Sequence, residues 1–282
     1  MKKEPSSGTG PESDGSGLVS PAGTELERVL AIGPQSAVFI VRGEQRLVCK
    51  RLVQRALASE AARASIRREG AMLDGLRGRG TARLLKRGED DAHGPYLLLE
   101  YVEAPELSGG LRGLALGDVA RACFAALAQV HDADDERGAL GIVHGDVTPG
   151  NVLVDATRAV LVDFGLAMGR DWPPSPDTGT FRGTFRFAAP ESARGEPLDA
   201  RADLFSMAAS LLSVATGSEA REAAHPAALL VEAGSAPLDG LLARARASLD
   251  PGIVEVLASC AAFERAERPE SARAVHAALG LC

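Results

Sequence analysis

The amino-acid sequence predicts an α+β protein of two lobes, because short strand-like segments occupy its first third and helical segments dominate the remainder. The chain has 282 residues, of which 45% are hydrophobic and 24% are charged, the usual balance of a globular protein. With about 150 residues per domain, this length allows one or two domains and a sizeable core. Extensive disorder and a disulfide-stabilised miniprotein are both excluded.

The first 24 residues differ from the remainder in composition. Thirteen of them are Gly, Ser or Pro, and few are apolar. Such a segment cannot bury enough apolar surface to offset the entropy that is lost on ordering. We therefore predict a disordered tail over residues 1–24 and a folded domain over residues 25–282. Within that domain, we expect a smaller lobe over about residues 25–103 and a larger lobe over about residues 104–282.

The smaller lobe is predicted to be rich in β-strands and to contain one helix. The runs Val29–Ala31, Val38–Val41 and Leu47–Cys49 are short and apolar, and Gly and polar residues separate them, which is typical of strands. The segment Ala56–Leu76 is rich in Ala, Arg and Glu and has apolar residues at helical spacing, so it predicts a helix. Leu97–Leu99 predicts a further strand.

The larger lobe is predicted to be mainly helical. Leu116–His131 has apolar residues at helical spacing. Leu204–Val214 is apolar almost all round, which is typical of a helix buried inside a large domain. Residues 225–247 and 252–280 also show helical patterns. Three short apolar runs predict strands around polar turns: Ile142–Val143, Val152–Val154 and Val160–Val162.

Charge and cysteine usage limit the partners and the compartment. With 31 basic and 38 acidic residues, the net charge is −7, which lacks the electrostatic footprint of a nucleic-acid binder. The sequence contains no apolar run of about 18 residues and no apolar segment after Lys2 and Lys3, so we expect neither a membrane span nor a signal peptide. The four cysteines form no Cys-x-x-Cys pair and are expected to be reduced. We therefore expect a cytoplasmic protein, and its oligomeric state stays open.

Three short motifs in the larger lobe point to chemistry. His144–Asn151 reads His-Gly-Asp-Val-Thr-Pro-Gly-Asn, Asp163–Gly165 reads Asp-Phe-Gly, and Gly183–Glu191 ends in Ala-Pro-Glu. Phosphoryl transfer needs positioning, Mg²⁺ and a group that receives the proton of the nucleophile. Mg²⁺ prefers hard oxygen ligands and keeps several waters, so the carboxylate of Asp163 and the amide oxygen of Asn151 suffice. Asp146 then faces the attacking hydroxyl.

This arrangement resembles the eukaryotic-like (Hanks-type) serine/threonine protein kinases of bacteria over roughly residues 25–282. The resemblance implies a bilobal protein-kinase-like fold with ATP and Mg²⁺ bound between the lobes. It implies transfer of the γ-phosphate of ATP to Ser/Thr hydroxyls of protein substrates, in bacterial signalling. Asp146 matches the catalytic aspartate that accepts the hydroxyl proton, and Asn151 and Asp163 match the metal ligands.

The resemblance also implies roles for residues of the smaller lobe. Lys50 ends a predicted strand and would contact the α- and β-phosphates, and Glu69, 19 residues further on in the predicted helix, would pair with it. Leu99 matches the gatekeeper residue. The nucleotide would be bound by the following further residues: Gly33 in the phosphate loop, Val38 and Leu153 on the two faces of adenine, and the backbone of Glu100 and Val102.

Two late features are implied by the same resemblance. Glu191 would pair with a buried arginine near the C-terminus, for which Arg268 is the candidate. Asp203, twelve residues after Glu191, opens the apolar helix and would brace the catalytic loop. The pair of Glu191 and Arg268 would be structural, and removing one partner would leave a buried charge.

Three places depart from the family pattern. The phosphate loop keeps Gly33 but has Ala31 and Ser36 where glycines are expected, which implies a stiffer loop and weaker nucleotide binding. Gly145 replaces the arginine that anchors a phosphorylated activation loop, so we expect activity that does not depend on such phosphorylation. Thr148 replaces a lysine that neutralises charge on the γ-phosphate, and its absence should slow the transfer.

Two other classes of function stay open. A pseudokinase, which keeps the fold as a binding or scaffold module, is favoured by the eroded phosphate loop and Thr148, but the intact catalytic and metal-binding residues oppose it. A small-molecule phosphotransferase is the other class, because aminoglycoside and choline kinases also carry His-Gly-Asp with Asn five residues after Asp. Those enzymes lack the Ala-Pro-Glu segment and a pair like Glu191 and Arg268.

Overall fold

The computed structural model describes residues 18–173 and 184–282. The chain divides into two compact units. Unit 1 comprises the residues up to Ala71 together with Arg83–Tyr101, and unit 2 comprises Met72–Ala82 together with Val102–Cys282. Residues 1–17 of the predicted tail lie outside the described residues.

A five-stranded antiparallel sheet forms unit 1. Its strands, in chain order, are β1 (Glu25–Ile32), β2 (Ser36–Arg42), β3 (Arg46–Leu52), β4 (Leu84–Asp90) and β5 (Gly94–Glu100), and their order across the sheet is β1-β2-β3-β5-β4. In β2, Ala37 and Phe39 are fully buried and Val38 between them is half-buried, as expected where alternate side chains point to opposite faces. Helix α1 (Glu60–Leu76) follows β3 in the chain, and the division between the units falls within it.

The chain that precedes β1 packs against unit 1. Leu18 is buried, and Arg51 of β3, which is 1% exposed, donates a hydrogen bond to the carbonyl of Val19. Burial lowers the pKa of Arg51 because its charged form loses water. The guanidinium carbon lies 5.9 Å from the centroid of the Tyr96 ring. Part of the segment 18–24, which the composition predicts to be disordered, therefore belongs to the packed structure.

Seven α-helices lie within the described part of unit 2 after residue 102. They are α2 (Leu116–His131), α3 (Pro190–Ala193), α4 (Ala200–Thr216), α5 (Pro226–Ser235), α6 (Asp239–Ser248), α7 (Pro251–Cys260) and α8 (Ala272–Leu279). The predicted bounds of α2 are confirmed. Most residues of α4 are buried, as its apolar sequence predicts, and the Asp199 carboxylate caps its start by accepting from the N–H of Arg201.

Two short hairpins complete unit 2. One joins β6 (Asp134–Asp135) to β7 (Gly138–Ala139), and the other joins β8 (Val152–Val154) to β9 (Ala159–Leu161). The strand predicted at Ile142–Val143 is wrong, because these residues make only one isolated bridge, from Val143 to Met168. The backbone there runs past the segment that follows Asp163-Phe164-Gly165 instead of entering a sheet.

Cysteine burial and helix hydropathy complete the description of the fold. Cys49, Cys123 and Cys260 are free and buried, whereas Cys282 is free and exposed. Burial raises the pKa of each of the three buried thiols to about 12, which favours the neutral thiol over the thiolate at neutral pH. In the described ranges, none of the helices combines the length and the hydropathy that crossing a membrane requires.

Candidate active site

Lys50 and Glu69 form a buried ion pair within unit 1. The Nζ atom of Lys50 lies 2.8 Å from Oε1 and 2.7 Å from Oε2 of Glu69. The lysine stands on β3, a strand inside the sheet, and the glutamate stands on α1. Their side chains are only 9% and 4% exposed. The predicted pair is therefore present, and it fixes the position of the ammonium group.

The predicted phosphate loop is a tight turn over Gly33–Ser36, between β1 and β2. The N–H of Gly33 donates to the carbonyl of Ser36 at 2.8 Å, and Pro34 has no N–H to offer a phosphate. Arg55 donates from Nε to the carbonyl of Pro34 at 3.0 Å and from Nη2 to that of Gly33 at 2.7 Å. These bonds support the stiffer loop expected from the sequence. Sequence reasoning missed Arg55, because a side chain that bonds backbone carbonyls leaves no motif.

Val38 and Glu100 are the other unit 1 residues assigned to the nucleotide. Val38 stands opposite Lys50 in the β2–β3 register, so both side chains share one face of the sheet. Glu100 is the last residue of β5, and its N–H donates to the carbonyl of Arg83 at 3.0 Å. Leu99, before it, is half-buried. Val38 therefore offers part of an apolar surface beside the ion pair.

In unit 2, the carboxylate of Asp146 is oriented by two neighbours. Its Oδ1 accepts from the backbone N–H of Thr184 at 3.0 Å, and its Oδ2 accepts from Nδ2 of Asn151 at 3.3 Å. The same Nδ2 donates to the carbonyl of Asp146 at 2.9 Å. Burial raises the pKa of Asp146, and the hydrogen bond from Thr184 opposes this rise. The aspartate is thus held in one orientation with an increased affinity for a proton.

The β8–β9 hairpin brings Asn151 and Asp163 to one end. Asn151 precedes β8 and Asp163 comes two residues after β9, and the N–H of Val162 donates to the carbonyl of Asn151 at 3.0 Å. Asp163 adopts a left-handed backbone with φ of 63°, and its Oδ1 accepts from the N–H of Gly165 at 3.2 Å. The charge of Asp163 adds to the rise in the pKa of Asp146, so the two carboxylates lie close enough to interact.

The donor set at this end of the hairpin fits Mg²⁺. Because Asn151 directs its Nδ2 towards Asp146, its Oδ1 is the atom that can face a cation. Asp163 adds an exposed carboxylate. Within the described ranges no group of three or more His, Cys, Asp or Glu residues could hold a metal ion. Mg²⁺ keeps several waters, so two protein oxygen atoms suffice to hold it.

Asp203 anchors the backbone of the loop that carries Asp146. It is 1% exposed in the first turn of α4, and it accepts from the N–H of His144 at 2.7 Å and of Gly145 at 2.9 Å. Nε2 of His131 lies 2.9 Å from its Oδ2. Burial alone would raise the pKa of Asp203, but the hydrogen bond and charge of His131 and the hydrogen bond from Gly145 hold it below its usual value. The predicted brace of the loop is present.

His144 links the loop that carries Asp146 to the segment before Asp163. Its Nδ1 accepts from the N–H of Asp146 at 3.3 Å, so its Nε2 carries the proton and donates to the carbonyl of Val162 at 3.1 Å. The ring packs edge-on against Phe164, with 4.7 Å between centroids. These contacts tie the position of Asp146 to that of Asp163.

Glu191 and Arg268 form the second predicted pair. Nη1 and Nη2 of Arg268 donate to the two carboxylate oxygens of Glu191 at 2.6 Å and 2.9 Å. The two side chains are 1% and 0% exposed. This bidentate geometry joins α3 to the loop before α8, and it confirms the predicted pairing.

Comparison with known proteins identifies the family. A family model described as the protein kinase domain matches residues 24–277. The chain belongs to the protein kinase family. This match covers most of both units, so the sequence motifs and the two ion pairs described above lie within one kinase domain.

Curated relatives of this kinase domain include serine/threonine kinases of actinobacteria. The serine/threonine-protein kinase PknJ of Mycobacterium tuberculosis is 29% identical over 223 residues, covering 76% of this chain and 37% of the relative. The probable serine/threonine-protein kinase PknB of Corynebacterium glutamicum is 28% identical over 274 residues, covering 91% of this chain and 41% of the relative. The chain thus spans about two fifths of the length of these relatives.

The adenine contacts of the kinase domain stay a prediction. Val38 and Glu100 belong to unit 1, whereas Val102 and Leu153 belong to unit 2. Leu153 is half-buried between the buried Val152 and Val154 of β8, so part of its side chain can meet a ligand. Val102 is buried, and its carbonyl accepts from the N–H of Ala104 at 2.9 Å.

Proposed function

We propose that this kinase domain transfers the γ-phosphate of ATP to Ser/Thr hydroxyls of protein substrates, with Mg²⁺ as the metal, in bacterial signalling. The observation that carries the proposal is the carboxylate of Asp146, which the N–H of Thr184 and the amide of Asn151 hold at 3.0 Å and 3.3 Å. A fixed carboxylate next to two hard oxygen donors is the arrangement that phosphoryl transfer to a hydroxyl requires.

Asp146 is the residue that handles the proton. Its carboxylate would accept a hydrogen bond from the acceptor hydroxyl and orient that oxygen towards the γ-phosphate. Because burial raises its pKa, the carboxylate holds a proton more readily than an exposed aspartate does. Asn151 and Asp163 would hold Mg²⁺, which would supply positive charge to neutralise the phosphate oxygens. Thr148 adds no positive charge here, so we expect slower transfer than a lysine at this position would allow.

Lys50 is the residue that binds the α- and β-phosphates in this proposal. Glu69 lies within 2.8 Å of its ammonium group and keeps the long side chain in one place. A lysine that is already ordered loses little side-chain entropy when it binds phosphate. The tight turn at Gly33–Ser36 would support the phosphates less closely than a loop with three glycines.

The remaining assignments are proposals of the same kind. The nucleotide is ATP, held in addition by Val38, Glu100, Val102 and Leu153, and the acceptor is a protein. The acidic net charge of −7 favours a protein acceptor over nucleic acid. We also retain as proposals the cytoplasmic location, the division into lobes near residue 103 and independence from activation-loop phosphorylation.

One transfer experiment distinguishes the three classes of function. The protein is incubated with Mg²⁺ and ATP labelled at the γ-phosphate, alone, with generic protein acceptors and with aminoglycosides. The variants Asp146→Asn and Asp163→Asn are tested in parallel. The matched control is Asp118→Asn, because Asp118 is an exposed carboxylate on α2 whose side chain pairs with Arg121.

Each outcome selects one class. Label on protein in the wild type and the control, but not in the two other variants, supports the proposal. Label only on the aminoglycoside identifies a small-molecule phosphotransferase. No transfer in the wild type, with or without ATP binding, identifies a pseudokinase and contradicts the proposal.

A further inference from the structure

A buried arginine outside the assigned active site has no evident role in stability. Arg221 lies between α4 and α5 and is 1% exposed. Its Nε and Nη2 atoms are buried and have no hydrogen-bond partner in the described part of the chain. Burial lowers its pKa to about 10, and the attraction of Glu232 offsets this only in part. Such an incompletely satisfied cation is costly to bury, so it calls for an explanation.

The remaining guanidinium nitrogen of Arg221 holds the backbone next to the catalytic aspartate. Its Nη1 donates to the carbonyl of Arg186 at 2.9 Å and to that of Phe185 at 3.3 Å. Arg186 in turn donates from its Nη1 to the carbonyl of Arg221, and its Nε lies 3.1 Å from Oε2 of Glu219. Each arginine therefore holds the backbone of the other. We call this pair the Arg186–Arg221 clasp.

The surroundings of the clasp make a structural role alone a poor explanation. The guanidinium carbons of Arg221 and Arg268 lie 5.6 Å and 4.9 Å from the centroid of the Phe205 ring. Arg268 has the carboxylate of Glu191 as its partner, but no carboxylate makes a hydrogen bond to Arg221 among the described residues. An apolar side chain of similar volume would avoid the cost of burying this second cation.

We propose that Arg221 is a positioning residue for phosphoryl transfer to the protein acceptor. The carbonyls that it holds belong to Phe185 and Arg186, which directly follow Thr184, and the N–H of Thr184 holds Oδ1 of Asp146 at 3.0 Å. Arg221 thus fixes the segment that orients the catalytic carboxylate. This inference rests on the proposed function, because it assigns Arg221 to the step that Asp146 carries out.

The experiment compares three substitutions in the full chain. Arg221→Met removes the charge and both hydrogen bonds at similar volume, and Arg221→Lys keeps the charge and can restore one bond. Arg186→Met removes the hydrogen bond from the half-buried Arg186 side chain to the carbonyl of Arg221. This second variant keeps the test valid if Arg221→Met fails to fold. The matched control is Arg246→Met, because Arg246 is an exposed arginine whose side chain pairs with Glu255. For each protein we would measure the melting temperature, the Kd for ATP, and kcat and KM for a generic protein acceptor.

The expected pattern separates positioning from folding. Arg221→Met should keep or raise the melting temperature and leave the Kd for ATP within about twofold. It should lower kcat/KM for the protein acceptor by about tenfold or more, the loss expected for a hydrogen bond from a charged donor. Arg221→Lys should recover part of this loss, and Arg186→Met should lower kcat/KM in the same way with ATP binding unchanged.

Three results would overturn the inference. Unchanged kcat/KM in folded Arg221→Met or Arg186→Met would show that the clasp does not position the carboxylate of Asp146 for transfer. Equal losses of ATP affinity and of transfer would point to a general structural role. A wild type that transfers no phosphate contradicts the proposed function and the inference with it, whereas wild-type transfer with unaffected variants contradicts the inference alone.

Discussion

Oδ1 of Asp203 accepts a hydrogen bond from the N–H of Gly145 at 2.9 Å, and this glycine has a left-handed backbone with φ of 75°. Asp203 lies in the first turn of helix α4, so the buried helix sets the conformation of the loop that carries Asp146. Glycine adopts this conformation without strain, whereas a residue with a Cβ does not. Gly145, which stands where the family pattern has an arginine, therefore also allows this turn to form without backbone strain.

Replacing Gly145 by alanine should destabilise the protein through backbone strain. A Cβ at this position would meet the carbonyl oxygen of Leu166 at 3.4 Å, an ordinary contact, so the cost comes from the left-handed conformation. We expect the free energy of unfolding to fall by about 1–2 kcal/mol, measured by urea denaturation followed by circular dichroism. In the control, Gly240→Ala in the first turn of α6, where the glycine has no positive φ, stability should not fall. A Gly145→Ala protein as stable as the wild type would contradict this explanation.

The lowered pKa of Asp203 predicts a loss of stability in acid. The pKa of Asp203 in the folded state lies below its ordinary value of 3.8. The carboxylate therefore contributes its full stabilisation above pH 3.8, and this contribution is lost as the pH falls through the folded-state pKa. Asp203→Asn should be less stable than the wild type at neutral pH, and the difference should shrink on acidification. Urea denaturation from about pH 7 to about pH 3 measures it. A difference that stays constant over this range would refute the assignment.

Removing one partner of the Glu191–Arg268 pair should be far more damaging than removing Arg221. Arg268→Met leaves the buried carboxylate of Glu191 without its two hydrogen bonds, at a cost of about 3–5 kcal/mol. Arg246→Met, at an exposed pair with Glu255, should change the stability little. Equilibrium unfolding of the two variants provides the comparison. Similar stabilities would mean that the buried pair contributes no more than a surface pair.

Arg55 should affect binding of phosphate groups and not binding of the nucleoside. Arg55→Ala frees the carbonyls of Gly33 and Pro34, so the turn loses its fixed geometry. We expect the affinity for ATP to change by about threefold to tenfold, the range for one or two exposed hydrogen bonds, and the affinity for adenosine to stay constant. Isothermal titration of both ligands measures the effect. An equal change in the affinity for adenosine would show that Arg55 does not act through the phosphate groups.

Regular hydrophobic spacing made much of the fold predictable. Leu116–His131 has apolar residues on one helical face, and the structure places α2 at the same residues. The sequence does not predict strand β4, because its charged residues leave it no apolar pattern; these residues are Lys86, Arg87, Glu89 and Asp90. Its pairing with β5 holds this edge strand in place, and that pairing is a property of the tertiary structure. Helix α1 starts at Glu60 and not at Ala56, because a short 3₁₀ turn over Gln54–Ala56 precedes it.

The site was predictable where two side chains pair with each other. Two ion pairs follow from opposite charges at the positions where the family pattern places them, and both are present in the structure: Lys50 with Glu69, and Glu191 with Arg268. Contacts of Arg55 and Arg221 were not predictable. Each of these arginines donates to backbone carbonyls. Because every residue has a backbone carbonyl, the residue types in the sequence do not reveal which carbonyl is the partner, and only the folded path of the chain does.

The most direct test of the proposed function compares phosphoryl transfer with ATP binding in Asp146→Asn. The carboxylate of Asp146 is proposed to handle the acceptor proton and not to bind the nucleotide. The variant should therefore bind ATP as the wild type does, while its rate of transfer from Mg·ATP to a protein acceptor falls by about 10²–10⁴-fold. Transfer at the wild-type rate by Asp146→Asn would contradict the central claim that this carboxylate serves the reaction.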